Sequence, residues 1–269
     1  MRVVRLLAFL VLDVLVCLPP DAEAAQVDRY FRSFDGTKIH YEINGAGPAV
    51  LLIHGFTVNA ESWKETKLFG DLLSTGFKVI ALDLRGNGLS DKPRRAEAYA
   101  HDAEARDVRG LVRHLRLGRY AVVGYSRGSI IAARLAISDK RVTKVVLGGM
   151  GDAFTDPNWQ RRLQVYRVLM GEPDPEYAWV TKRVDDMGLD RRVQAYIQLG
   201  QPSTSAEELS TINVPVLVIC GDKDESDGSP KVLAGLIPGA QYVSVPGDHA
   251  QAWFSQALSS DIISFLKAK

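Results

Sequence analysis

Cysteine is scarce in this chain: Cys17 and Cys220 are the only two in 269 residues, too few for a disulfide-stapled scaffold or a cysteine-built metal cluster. An excess of one charge is also lacking, since 33 Lys and Arg offset 32 Asp and Glu to leave a net charge of +1. The basic runs are no longer than the pairs Arg94-Arg95, Arg161-Arg162 and Arg191-Arg192. That balance leaves no electrostatic case for nucleic acid, and each pair reads as solvated surface. Long apolar runs are missing too. The most apolar stretch, Leu6 to Leu18, is too short to span a bilayer comfortably, so no stable membrane insertion of the mature chain is expected. Internal repeats, low-complexity tracts and long linkers are absent.

What is present begins with a leader. Met1 to Arg5 carries two arginines, Leu6 to Leu18 is apolar apart from Asp13, and Pro19-Pro20 leads into Ala22-Glu23-Ala24. This is the three-part form of a secretory signal peptide over residues 1–24, with cleavage after Ala24 and export to the periplasm or medium. Val16 is a poor match to the small residue expected before a lipidated cysteine, so Cys17 does not mark a lipoprotein. With the leader removed, Cys220 has no partner for an internal disulfide, and at the end of Val214 to Ile219 it reads as a small buried thiol.

The whole chain has 46% hydrophobic and 24% charged residues, and residues 25–269 read as one large α/β domain with enough length for a well-buried core. Tyr30 to Phe34 and Lys38 to Ile43 form an initial hairpin around Asp35-Gly36. Strands follow at Ala49 to Ile53, Lys78 to Leu82, Tyr120 to Val123, Val142 to Leu147, Val214 to Ile219 and Gln241 to Val245. Helical spacing is found at Ala60 to Leu73, His101 to Leu115, Pro230 to Leu236 and Gln251 to Leu266. Such alternation argues for a mostly parallel sheet with helices on both faces. From about 152 to 211 the pattern changes to short helical stretches with scattered Trp and Tyr, which reads as a lid.

The chemistry centres on Gly124-Tyr125-Ser126-Arg127-Gly128, preceded by an apolar strand and followed by an apolar helix. A serine at a tight strand-to-helix turn has its hydroxyl pushed out of the backbone, where it can serve as a nucleophile. It needs a base, and that base needs an orienting acid. Gly221-Asp222-Lys223-Asp224 and Pro246-Gly247-Asp248-His249 each follow a strand end. Loops at the carboxyl ends of parallel strands share one edge of the sheet, so both can converge on Ser126. His40, His101 and His114 read as surface or packing residues, and His54 as a turn-shaping residue, leaving His249 as base. Asp224, in the loop proper, is preferred as acid over Asp222, beside the strand end; Asp248 reads as loop chemistry. The oxyanion hole falls to the backbone amides of Arg127, at the positive end of the post-serine helix, and of Phe56 in the His54-Gly55-Phe56 loop.

With LLIHGF at 51–56, LDLRGNGLSDKP at 82–93, VVGYSRG at 122–128, VPVLVICGDKD at 214–224 and GDH at 247–249, the mature chain resembles the α/β-hydrolase fold superfamily of esterases, lipases and aminopeptidases. The resemblance implies a mostly parallel eight-stranded sheet, a short helical lid, and Ser126, Asp224 and His249 as nucleophile, acid and base, with no cofactor or metal. Where many members carry histidine this chain has Asn87, a structural departure. Arg127 is bulkier than is common at its position, and its side chain either packs and caps or meets the substrate. Serine at 126 argues against the aspartate-based dehalogenases and epoxide hydrolases. The expected reaction is hydrolysis of a small-molecule carboxylic ester or lactone. Carbon–carbon bond hydrolysis, release of N-terminal proline and perhydrolysis stand behind it, and the competing class is a non-catalytic small-ligand receptor.

Overall fold

The computed structural model describes residues 28–224 and 227–268; the leader expected at 1–24 lies outside them. In chain order the elements are β1 (Arg29–Arg32), β2 (Lys38–Asn44), β3 (Ala49–Ile53), α1 (Lys67–Ser74), β4 (Lys78–Leu82), α2 (Ala103–His114), β5 (Tyr120–Tyr125), α3 (Arg127–Ser138) and β6 (Val142–Gly148). Then come α4 (Gln160–Leu169), α5 (Ala178–Asp186), α6 (Arg191–Gly200) and α7 (Ala206–Ser210), followed by β7 (Val216–Gly221), α8 (Pro230–Gly235), β8 (Gln241–Val245), α9 (His249–Phe254) and α10 (Gln256–Lys267).

The strands form an eight-stranded sheet in the order β1-β2-β4-β3-β5-β6-β7-β8. β1 and β2 are antiparallel, β2 joins β4 antiparallel, and all later pairings are parallel. The crossover between β3 and β4 is what reverses the strand order, so the carboxyl ends of β3 and β5 lie side by side. Ligands bind at such a switch point in open α/β sheets.

The period-two alternation of side chains sorts each strand between two cores. Leu51, Ile53, Val122 and Val145 pack with α2, α3 and α8 on one face. Val50, Leu52, Val123 and Val146 pack with α1 and α10 on the other. β5 is buried along its whole length, as a central strand covered on both sides must be. Among the described residues no helix is long and apolar enough to cross a membrane.

Several expected elements differ in their bounds, β1 by running from Arg29 to Arg32 rather than from Tyr30 to Phe34, and three of them for a reason that one residue supplies. The helix expected over Ala60 to Leu73 is a 3-10 turn, Ala60–Glu65, followed by α1. Thr66 sits between them in extended conformation, its hydroxyl accepting from Phe69 N–H as an N-cap, which ends one helix and starts the next. The same device splits the expected C-terminal helix: Ser255 is extended, caps Leu258, and separates α9 from α10. β7 starts at Val216 rather than Val214, because Pro215 has no N–H to give the ladder and serves only as an acceptor from Val145.

Candidate active site

Ser126 stands between β5 and α3 with φ 54° and ψ −129°, backbone that a side-chain-bearing residue adopts only when its surroundings over-determine it. Its N–H donates to the Gly148 carbonyl at 2.7 Å, and Ser129 Oγ donates to the same oxygen at 2.8 Å. The flanking glycines are required by contact: a Cβ on Gly124 would overlap the Gly128 carbonyl, and one on Gly128 would overlap the Ile53 carbonyl. The pentapeptide is thus the sequence that lets β5 and α3 close against β3.

His249 opens α9, and its Nδ1 lies 2.7 Å from Asp224 Oδ2. A carboxylate only accepts, so Nδ1 carries the hydrogen and the neutral ring keeps its acceptor lone pair on Nε2. Asp224 is buried to 4% side-chain exposure while His249 retains 35%: the carboxylate is shielded and the imidazole is open to the cavity. Asp222 faces elsewhere, accepting from Gly247 N–H at 2.8 Å and so closing the turn before the histidine. Asp248 is the N-cap of α9 and forms a capping box with Gln251. Among the described residues neither Ser126 Oγ nor His249 Nε2 has a hydrogen-bond partner, and both side chains line one cavity of about 740 Å³.

The loop after β3 runs directly alongside. A Cβ on Gly55 would stand 3.2 Å from Ser126 Cβ. His54 is fully buried, its Nδ1 2.8 Å from the Gly55 carbonyl and its Nε2 accepting from Leu84 N–H at 3.0 Å. Because Gly55 C=O and Phe56 N–H belong to one peptide plane, anchoring the carbonyl fixes the direction of the amide. Phe56 N–H has no acceptor among the described residues, and Arg127 N–H, at the first position of α3, is one of the donors a helix leaves unpaired. Both are thereby available to an oxyanion.

Burial holds the His54 imidazole below its ordinary value, the Gly55 hydrogen bond opposing only in part. The unfolded chain takes up this proton near pH 6.5 while the folded one refuses it, so stability falls as pH drops below that point. A His54→Gln variant should show a shallower loss between pH 7 and pH 5, by up to about 1.4 kcal/mol per pH unit, in urea unfolding at the two pH values. Equal slopes would place the acid-sensitive group elsewhere.

Asn87 lies buried in the loop after β4, donating to the Arg85 carbonyl and accepting from Gln194 of α6, each at 3.4 Å. The Arg127 side chain turns away from Ser126 Oγ to pair with buried Glu104 of α2, through Nη1 at 3.0 Å and through Nη2. His40 is not a surface residue. It is buried with Nδ1 2.9 Å from Asp83, whose two carboxylate oxygens also accept from Ala60 and Leu89 N–H. Among the described residues no cluster of His, Cys, Asp and Glu could hold a metal ion.

Residues 48–172 match the family described as alpha/beta hydrolase fold. A solved hydrolase from Pseudomonas aeruginosa superposes with a TM-score of 0.72 at 24% identity, over 91% of this chain and all of that one. The chain has the α/β-hydrolase fold. It is 35% identical over 147 residues to an uncharacterized protein of Mycobacterium bovis, covering 54% of this chain but only 42% of that relative's length. It is 26% identical to a non-heme haloperoxidase of Rhodococcus erythropolis, over 87% of this chain and 97% of the relative. The chain thus spans about two fifths of the length of the curated relatives it matches first.

In this α/β-hydrolase-fold protein several residues that shape the site carry no local signal. Tyr125 OH donates to the His249 carbonyl at 2.6 Å, and its ring packs 4.5 Å from Trp253 and 5.2 Å from the His249 imidazole. The residue next to the serine therefore braces the histidine loop. From the helices between β6 and β7, Arg183 Nε donates to Thr57 Oγ1 at 2.7 Å, beside the Phe56 amide, and Arg161 pairs with Asp227 at 2.9 Å, near Asp224. Thr57 itself has φ 62°. A second chamber of about 70 Å³, lined by Ile130, Met150, Trp159 and Val165, also reaches Ser126. The serine stands at the junction of the two spaces.

Proposed function

We propose that the chain is a serine hydrolase that cleaves a carboxylic ester or lactone of a small to medium substrate through an acyl-enzyme on Ser126. The observation that carries this reading is the His249 ring, held through Nδ1 by buried Asp224 and lining the same cavity as Ser126. Ser126 Oγ attacks the substrate carbonyl carbon as its proton passes to His249 Nε2, and Asp224 stabilises the imidazolium. The developing oxyanion takes the amides of Phe56 and Arg127, each worth about 3 kcal/mol. His249 returns the proton to the departing alcohol, then activates the water that releases the acid. No cofactor enters this scheme. The larger chamber has the volume of an ordinary small-molecule site, and the helices between β6 and β7 act as its lid.

A second reading draws on the likeness to the Rhodococcus protein named a non-heme haloperoxidase. Hydrogen peroxide would then replace water in attacking the acyl-enzyme, giving a peracid and free Ser126. A receptor without turnover is separated from both by ligand-dependent thermal stabilisation without product. The leader supports export with cleavage near Ala24.

A fluorophosphonate probe tests the nucleophile directly. We expect one covalent adduct, on the peptide carrying Ser126, with labelling slowed by a short-chain ester. No adduct, or one on another residue, overturns the serine mechanism.

A further inference from the structure

Helix α2 sorts its charges in a way that folding alone does not require. Its acids all face ion pairs within the protein: the N-cap Asp102 with Arg134 at 2.8 Å, Glu104 with Arg127, and Asp107 with Arg85 at 2.6 Å. Arg106, Arg109 and Arg113 recur at intervals of three and four, which places them on one face, and Arg116 and Arg119 follow in the turn beyond. All five are exposed, and none pairs with a carboxylate among the described residues. Cations near a helix C-terminus are favoured by its dipole, but Arg106 lies near the N-terminus and gains nothing from it.

The surface continues onto β1. Phe31 stacks on His114 with ring centroids 5.8 Å apart, so the edge strand lies against this helix. Arg29, on the same side of β1 as Phe31, is exposed there. One aromatic ring remains partly open beside the cations: Phe34, 43% exposed with the Arg106 guanidinium 3.4 Å above it. The chain enters the fold at this edge, since Arg29 pairs with Tyr41, whose ring packs on His114.

We propose that the arginine face of α2, with the adjoining β1 edge, docks the protein onto an anionic phospholipid surface. Arginine forks match phosphate oxygens in pairs and shed water more readily than lysine, while the half-exposed Phe34 ring beside Arg106 supplies an apolar contact of the kind such an interface takes up. The reading is independent of the chemistry at Ser126.

The test is co-sedimentation of the full chain with vesicles of phosphatidylcholine and with vesicles that also contain phosphatidylglycerol. We expect tighter binding to the anionic vesicles, weakened by salt. Each cation near such a surface contributes about fivefold, so Arg109→Gln/Arg113→Gln should lower the anionic increment about 25-fold. Arg191→Gln/Arg192→Gln removes the same charge from α6 and should leave the increment nearly intact. These substitutions are on the surface, and a thermal melt checks that each variant is folded. No anionic increment, or an equal loss in both double variants, overturns the proposal. Retention of a DNA oligonucleotide without an anionic-vesicle increment would also overturn it.

Discussion

Replacing Ser126 with alanine is expected to lower kcat for a chromogenic short-chain ester by about a millionfold, leaving only the residual catalysis of a binding site with an intact oxyanion hole. The substitution removes one hydroxyl from a residue whose backbone is clamped by the Gly148 carbonyl and by close contact of α3 with β3. The elbow should therefore keep its shape. The fold should be as stable as the wild type or slightly more so, because a serine at φ 54° is held in place by its neighbours and contributes little in return. Stopped product formation with an unchanged thermal melt would separate loss of the nucleophile from loss of structure. Equal turnover in the two proteins would remove Ser126 from the mechanism.

The second large effect is expected at Asp224. Asparagine there presents either an amide N–H or a carbonyl to His249 Nδ1, and it no longer offers a charge to the imidazolium; the expected fall in kcat is about ten-thousandfold. Asp222→Asn makes the sharper comparison. Its carboxylate accepts a single backbone N–H from Gly247, and an asparagine oxygen can still accept that bond, so activity should change by less than about tenfold. The two aspartates are two positions apart in one loop, so nonspecific damage to that loop would affect both variants alike. A reversed ranking would make Asp222 the orienting acid.

Much of the fold was legible in the chain because strand and helix patterns are local. The alternation of buried strands with amphipathic helices follows from short-range periodicity, and three of the bounds that shifted did so at single residues. Thr66 and Ser255 cap the helices that begin just after them, which an apolar period alone does not reveal. Pro215 trims β7 for want of one N–H. The arginine face of α2 escapes a search for contiguous basic runs because helical spacing separates its members by two or three other residues.

Each candidate functional residue could be named from its own neighbourhood: a serine between two glycines at a strand-to-helix turn, an His-Gly-Phe loop after a buried strand, and an aspartate and a histidine in later strand-end loops. Chain pattern and turn chemistry determine that much, since they depend on residues a few positions apart. The tertiary structure decided which aspartate faces His249, that Arg127 turns to Glu104, and that Tyr125, Arg183 and Arg161 tie the surrounding loops together. Those pairings join residues between 20 and 130 positions apart or so, and a side chain's partner at that distance is set by how the sheet and helices bring loop ends together, not by any local preference.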